Sequence, residues 1–140
     1  MLRGPILVAE SVANDEERAR LGLFLGEMVY RVDRLRSKGE HLLAEYIRLP
    51  AALFPSLQKP VASIVALADS YGVKLGEAVE AVRVVPAAAS VAKALGVIEG
   101  SLLLMSDRVV HLRDGRPAEW RIMYSLDHEK LTRLIAKLRR

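Results

Sequence analysis

The sequence predicts a single α+β domain in which roughly six mostly antiparallel strands form a sheet, with helices packed on one face. Two pairs of alternating segments surround Lys38-Gly39 and Asp114-Gly115, which is the pattern of β-hairpins. Segments with helical spacing of apolar residues stand before and between these hairpins, and each ends at a glycine. The same order of elements occurs twice along the chain, and this repetition is the third observation behind the prediction.

The first half begins with a predicted strand at residues 6–10. Asn14 and Glu17 have the spacing of a helix N-cap and its reciprocal partner, and this helix is expected to run to about Leu21 and end at Gly22. Residues 28–36 and 42–49 alternate as strands do, and Pro50 ends the second of them. Residues 51–57 are expected to be irregular or a single turn.

The second half repeats this order after a predicted helix at residues 61–71, which Gly72 ends. Residues 74–85 are strand-like, and residues 86–95 are alanine-rich and helical, with Pro86 near the first position and Gly96 at the end. Residues 102–112 and 117–124 form the second hairpin. Asp127 then caps a final helix with one apolar stripe.

The repeat has a constant offset of 74 residues. It relates five features of the first half to five of the second: Leu21-Gly22 to Leu95-Gly96, Gly26 to Gly100, Asp33 to Asp107, Arg34 to Arg108, and Glu45 to Glu119. Agreement of all these pairs at one offset indicates a duplicated strand-helix-hairpin unit. The repeat is too long, and occurs too few times, for a solenoid.

Composition limits the class of protein. The chain has 140 residues, 51% of them hydrophobic, and a net charge of +4, which fits one domain with a substantial core. It has no cysteine, which excludes a disulfide scaffold, a thiolate zinc site and a cysteine nucleophile and fits a cytoplasmic protein. We find no apolar run long enough to span a membrane and no secretory leader, and we expect no metal or cofactor.

Two arginines are candidate anion ligands. Side chains on a strand alternate between its faces, so Arg34 and Arg36 lie on one face, about 7 Å apart. Convergent guanidinium groups bind carboxylate or phosphate well. The second half has Arg108 and Val110 at the equivalent positions. The alternative is a solvated strand end whose arginines pair with nearby carboxylates, and the sequence alone does not decide between the two.

Several blocks resemble a known family, the UTRA domain of the HutC branch of GntR transcription regulators. The resemblance covers roughly residues 5 to 135, and the order and spacing of the blocks carry it. The blocks are residues 30–36 with Gly39-Glu40 and Glu45, then Leu49-Pro50 with Phe54-Pro55 and Leu57, then Ser63 with Tyr71-Gly72-Val73, and finally Leu95-Gly96, Gly100 and residues 115–119. In this chain Glu119 and Tyr124 stand one residue closer together than the family pattern has them.

The resemblance implies a chorismate-lyase-like fold and a small-molecule effector that binds beside the sheet and changes DNA affinity elsewhere. Carried over position by position, it implies the ligand-binding residues Arg34, Arg36, Glu45, Ser63, Glu119 and Tyr124. The two arginines would hold an anionic metabolite of the phosphorylated sugar or carboxylic acid type. The two glutamates would accept hydrogen bonds from hydroxyl or amino groups, Ser63 would add a donor, and Tyr124 would close the pocket.

The resemblance also implies partners. The family's domain is usually a homodimer, and the regulator contacts DNA through an N-terminal winged helix that we do not find in residues 1–140. We therefore expect a single ligand-binding domain that does not read DNA itself.

Two other functions remain open. The fold's lyase relative uses arginines and a glutamate around an aromatic acid, and Arg34, Arg108 and Glu119 could serve similarly. Against an enzyme, the three histidines have no partners at metal-ligand spacing, and we find no nucleophile elbow or phosphate loop. A dimerisation module without a ligand is the third possibility.

Overall fold

The computed structural model of the chain describes residues 2–57 and 63–138, with side chains from residue 8 onward. In chain order its elements are β1 (Leu2–Val12), α1 (Asp15–Leu21), β2 (Met28–Lys38), β3 (His41–Pro50), a 3-10 turn (Ala51–Leu53), α2 (Ile64–Tyr71), β4 (Leu75–Pro86), α3 (Ala89–Leu95), β5 (Leu102–Leu112), β6 (Pro117–Ser125) and α4 (His128–Leu138). No helix in the described part of the chain has both the length and the apolar character needed to cross a membrane.

The six strands form one sheet in the order β1-β2-β3-β6-β5-β4, and every pair of neighbours is antiparallel. From each edge to the centre of the sheet, the strands follow chain order, β1-β2-β3 from one edge and β4-β5-β6 from the other, so the two halves are arranged symmetrically. Where the halves meet, Ile47 of β3 lies directly opposite Arg121 of β6, and these two positions are themselves 74 residues apart. A pseudo-two-fold axis therefore passes through the sheet beside the Ile47–Arg121 pair.

The predicted duplication is confirmed by the bounds of the elements. When 74 is added to the first and last residue numbers of α1 and β2, the results are the first and last residues of α3 and β5. Gly22 and Gly96 both end their helices with a backbone in the left-handed region, at φ of 63° and 68°. A residue with a side chain is strained there, which explains why both halves place glycine at this point.

The helices lie on both faces of the sheet, not on one as the sequence suggested. Alternate side chains of each strand point to opposite faces, and α1 and α3 pack against Val29, Ala44 and Leu103 on one of them. We call this the α1–α3 face. Helix α2 instead packs against Val32 and Ile47 on the other face. The reason is that α2 follows a complete hairpin whose second face still has apolar residues to bury.

Some boundaries differ from the predicted ones. Strand β1 is longer than residues 6–10, and α2 begins at Ile64 with Ser63 as its N-cap, while predicted helical residues 61–62 lie outside the described part. Pro86 does not open α3. It is the last residue of β4, opposite Leu102, because the ladder continues through the Ala87 N–H, which donates to the Ser101 carbonyl at 2.7 Å. A proline is tolerated in an edge strand, since its missing N–H need not pair.

Other local predictions are confirmed. Asn14 and Glu17 form the reciprocal cap of α1, with the Glu17 N–H donating to the Asn14 side chain at 2.8 Å and the Asn14 N–H donating to the Glu17 carboxylate at 2.9 Å. The Asp127 carboxylate accepts from the Lys130 N–H at 3.1 Å and caps α4. Sequence signals that act within three residues of each other therefore predicted the helix ends well.

Candidate functional site

The sheet face opposite α1 and α3 carries four arginines and two buried glutamates near the pseudo-two-fold axis. We call it the arginine face. Its charged residues come from four adjacent strands, since β2 contributes Arg34 and Arg36, β3 contributes Glu45, β6 contributes Glu119 and Arg121, and β5 contributes Arg108. Side chains alternate between the two faces along each strand, and the observed strand pairing places these six side chains on the same face of the sheet.

Glu45 lies at the centre of the first half of this face. Its side chain is 1% exposed, and three arginines donate to it: Arg34 Nε at 2.9 Å and Arg36 Nη1 at 3.4 Å to one oxygen, and Arg121 Nη1 at 3.1 Å to the other. The Arg34 side chain is also buried, whereas that of Arg36 is 33% exposed. Among the described residues, one carboxylate faces three guanidinium groups here, so this part of the structure has an excess of positive charge.

The second half has the equivalent ion pair. Arg108 Nη2 donates to Glu119 Oε1 at 2.7 Å, as Arg34 donates to Glu45 74 residues earlier. Glu119 is 3% exposed and is therefore well shielded from water. The arginine–glutamate pair on this face is thus a feature of both halves.

A cavity lies at the edge of the arginine face, beneath α2. It encloses only about 20 Å³, roughly the room of one water molecule. Its polar lining residues are Arg34, Ser63 and Glu119, and the remaining lining is aliphatic: Val32, Ile47, Leu49, Leu57, Ile64 and Leu67. A few convergent polar groups among apolar walls are typical of a small-molecule site.

Ser63 reaches this cavity as the N-cap of α2. Its Oγ accepts from the Ala66 N–H at 3.2 Å, which leaves the hydroxyl hydrogen available to donate to a ligand. The N-terminus of a helix also favours a negative charge nearby. Ser63 therefore lies where the sequence placed it.

Tyr124 does not join the other five predicted residues. Its ring packs edge-on against Tyr46, with ring centroids 6.0 Å apart, in the apolar cluster of the α1–α3 face. Glu119 and Tyr124 are five positions apart in one strand, so their side chains point to opposite faces of the sheet. The expectation that Tyr124 closes the pocket does not fit this geometry, and burial instead raises the pKa of its hydroxyl.

Arg121 was not predicted from the sequence as a site residue. The strand in the second half that corresponds to β2 has a single arginine on this face, Arg108, whereas Arg121 comes from the neighbouring strand. Arg121 follows Glu119 by two residues, so the period of a strand does place it on the same face as Glu119. That signal was available in the sequence, but its significance depends on the pairing of β6 with β3.

The α1–α3 face has a separate ionic network in the first half. Glu17 of α1 is 2% exposed and accepts from Arg31 at 2.6 Å and from Arg48 at 3.0 Å. The hydrogen bond from Arg31 lowers the pKa of Glu17 below its ordinary value, against an opposing effect of burial. This network joins α1 to β2 and β3, and it lies on the other side of the sheet from the cavity.

A family model described as the UTRA domain matches residues 6–127 of the chain. The model covers most of the chain, including strands β2 to β6, the larger part of β1 and the arginine face.

Three crystal structures are similar to the chain. The ligand-binding domain of a protein from Bordetella bronchiseptica assigned to the GntR family of transcriptional regulators has 28% identity and a TM-score of 0.81, with 91% of this chain and 86% of that one covered. YydK of Bacillus subtilis has 19% identity and a TM-score of 0.81, with 88% of this chain covered. The effector domain of PhnF from Mycobacterium smegmatis has 21% identity and a TM-score of 0.77, with 86% of this chain and 77% of that one covered.

The last two likenesses show the fold alone. The chain spans 57% of the length of YydK and larger shares of the two ligand-binding or effector domains. The α+β fold expected from the sequence is confirmed by these neighbours together with the six-stranded sheet.

Proposed function

The chain belongs to the UTRA domain family, and from this premise we propose that it is the effector-binding domain of a GntR transcription regulator, in the HutC branch, whose effector is a small anionic metabolite. The observation that carries the proposal is the arginine face. Four arginines there face two buried carboxylates beside a cavity that Arg34 and Glu119 both line. An anion would balance this excess positive charge.

The anionic group of the effector, a phosphate or a carboxylate, binds at Arg34 and Arg36. Arg36 holds Glu45 by one long contact of 3.4 Å and is partly exposed, so its remaining N–H groups are accessible to a ligand. Arg34 lines the cavity directly. Two guanidinium groups on one strand face bind an anion with more geometric selectivity than a single lysine would.

The rest of the effector lies between the sheet and α2. The Glu119 carboxylate accepts from hydroxyl or amino groups, the Ser63 hydroxyl donates, and the aliphatic walls cover the carbon skeleton. Glu45 helps to position the arginines, because its two oxygens are already occupied by them. This division of roles suits a phosphorylated sugar or a small carboxylic acid.

Effector binding requires α2 to move. The cavity has room for about one water molecule, whereas small-molecule sites generally enclose about 300 Å³ or more. Ile64 and Leu67 of α2 form part of the wall, so an effector of that size displaces the helix from the sheet. Displacement of α2 is the structural change that the regulator would pass on to DNA binding.

The regulator is proposed to act in the cytoplasm as a homodimer and to contact DNA only through a winged-helix domain outside this chain.

Strand β4 suits dimer formation. It lies at the edge of the sheet, residues 76–83 are exposed, and Val79 and Val82 are 62% and 44% exposed on opposite faces. A long, exposed edge strand readily pairs with another chain. Light scattering should show a dimer of the wild type and a monomer of Val79→Lys.

The binding proposal is tested by thermal denaturation with a panel of phosphorylated sugars and small carboxylic acids. At least one should raise the melting temperature by roughly 8 °C at a hundred times its dissociation constant, which follows from about 2.7 kcal/mol of stabilisation. Arg36→Ala should lose this response and keep its own melting temperature within about 3 °C of wild type, since Arg36 is partly exposed.

Arg116→Ala is the matched control, because Arg116 is exposed and pairs only locally with Asp114 in the described structure. It should respond to the anion as the wild type does. An absence of response from every anion would contradict the proposal. Conversion of chorismate to 4-hydroxybenzoate by the purified domain would favour the lyase alternative instead.

A further inference from the structure

We propose that the second half of the arginine face is a second anion subsite, formed by Arg108 and Arg121 with Ser106, and that the effector therefore carries two anionic groups. This inference rests on the proposed function. It adds a contact region in β5 and β6 to the one already described in β2.

The first observation is a pair of like charges. Arg108 of β5 and Arg121 of β6 are direct cross-strand partners on the arginine face. Directly opposed residues have Cβ atoms about 5 Å apart, and like charges in this arrangement destabilise a sheet. The two arginines turn to different carboxylates, Arg108 to Glu119 at 2.7 Å and Arg121 to Glu45 at 3.1 Å. The space between them keeps its positive potential.

The second observation is a group of buried polar atoms that have no hydrogen-bond partner in the described structure: Ser106 Oγ, Arg108 Nε and Arg121 Nε. Ser106 is 5% exposed and follows the same strand face as Arg108. A buried donor without a partner costs about 1–3 kcal/mol, so three of them at one place indicate a ligand that supplies acceptors.

The two arginine side chains of the site are partly accessible from solvent. The side chains of Arg108 and Arg121 are 21% and 17% exposed, so an anion reaches the ends of both guanidinium groups, and rotation of those groups brings the Nε–H donors toward it. Burial and the neighbouring charge of Arg108 lower the pKa of Arg121 below its ordinary value, and an anion would reverse that effect. Glu80, opposite Arg108 on β4, is exposed and compensates only weakly.

The pseudo-two-fold axis relates the two subsites. Arg34–Glu45 and Arg108–Glu119 are equivalent pairs, but the additional arginine comes from the same strand in the first half and from the neighbouring strand in the second. Strand β2 is two strand spacings from β6 and three from β5, which places the subsites about 10–14 Å apart. A metabolite with two anionic groups at about this separation contacts both subsites.

The test follows the arginine Nε–H signals of the whole domain by ¹⁵N NMR during titration with inorganic phosphate. Signals of Arg34 and Arg36 should move as the first subsite fills, and those of Arg108 and Arg121 as the second fills, while exposed Arg116 remains unchanged. Ser106→Ala should weaken phosphate binding at the second subsite about tenfold, since it removes one hydrogen bond to a charged group, and leave the first unchanged. Arg36→Ala should do the reverse.

The outcomes separate this inference from the proposed function. If only Arg34 and Arg36 respond, the second subsite is refuted and the effector proposal stands. If none of the four responds, both are refuted. A further comparison uses azelate, a dicarboxylate with its charges about 10 Å apart, and the monocarboxylate nonanoate. Azelate should bind the wild type more tightly and lose that advantage in Ser106→Ala, and equal binding of the two would refute a two-anion effector.

Discussion

In the first half of the chain α1 is attached to the sheet by an ionic network in addition to the apolar contacts of Leu21, whereas in the second half α3 is attached by apolar packing. Positions Glu17, Arg31 and Arg48 form an ionic network, and the positions 74 residues later are Val91, Met105 and Ile122. Val91 of α3 belongs to a buried apolar cluster and Met105 is buried, whereas Ile122 packs against the cluster that contains Leu21 of α1. One backbone unit is thus stabilised by two different kinds of interaction.

The arginine face shows the opposite relation between the halves. There the Arg34–Glu45 pair and the Arg108–Glu119 pair have the same residue types at the same offset of 74 residues, although Arg34 lies directly opposite Glu45 whereas Arg108 lies opposite Arg121. A buried ion pair that serves only the stability of a fold can be replaced by aliphatic side chains of similar volume. An ion pair that is present in both halves, next to a cavity, is better explained by ligand binding than by packing. This difference between the two faces supports the proposal that the arginine face binds the effector.

The largest expected effect comes from removing a carboxylate on the arginine face. Glu45→Gln should lower the free energy of unfolding by about 4 kcal/mol, because three arginines would lose their shared partner in a buried site. Glu119→Gln should lower it by about 2 kcal/mol, since the described structure gives Glu119 one arginine contact. Urea denaturation of both variants checks the difference, and equal losses would show that the additional arginines around Glu45 contribute nothing.

A smaller effect is expected on the α1–α3 face. Glu17→Gln should cost about 3 kcal/mol at neutral pH, because Glu17 is buried against Arg31 and Arg48. Since the pKa of Glu17 is lowered in the folded state, its contribution is complete above the unfolded pKa near 4.5 and is lost as the pH falls through the folded pKa. The difference between wild type and variant should therefore narrow in acid.

Val91→Ala is the matched substitution in the second half. It removes apolar contacts at the position equivalent to Glu17, and its cost should be about 1–2 kcal/mol at every pH. Chemical denaturation of both variants between pH 3 and pH 7 makes the comparison. A Glu17 effect that does not change with pH would remove the distinction between the ionic and the apolar half.

The smallest effect tests the symmetry of the backbone. Gly22→Ala and Gly96→Ala should each cost about 1 kcal/mol, because both glycines have positive φ and an added Cβ meets no contact closer than 3.6 Å at either position. Thermal denaturation should give two similar shifts. A large difference between the two shifts in melting temperature would mean that the two helix ends are not equivalent, despite their similar backbone conformation.

Much of the fold could be predicted from the sequence, because the offset of 74 aligns helix caps and hairpins whose signals are local. The face of the sheet that α2 covers could not be predicted from the sequence, because a helix that follows a hairpin can pack on either face. In the site, Arg34 and Glu45 followed from strand period and the family pattern. The position of Arg121 beside Glu45 could be recognised only from the pairing of β6 with β3. Tyr124 was assigned to the site by the family pattern, but its spacing from Glu119 is one residue shorter here, and its side chain lies on the other face.

The central claim is that an anionic effector binds on the arginine face, and a crystal structure of the domain with the anion that most raises its melting temperature tests it most directly. The account predicts density for the anion within hydrogen-bond distance of the Arg34 and Arg36 guanidinium groups, beside Ser63, with α2 displaced from the sheet. An anion bound on the α1–α3 face, or one that leaves both arginines without a contact, would contradict it.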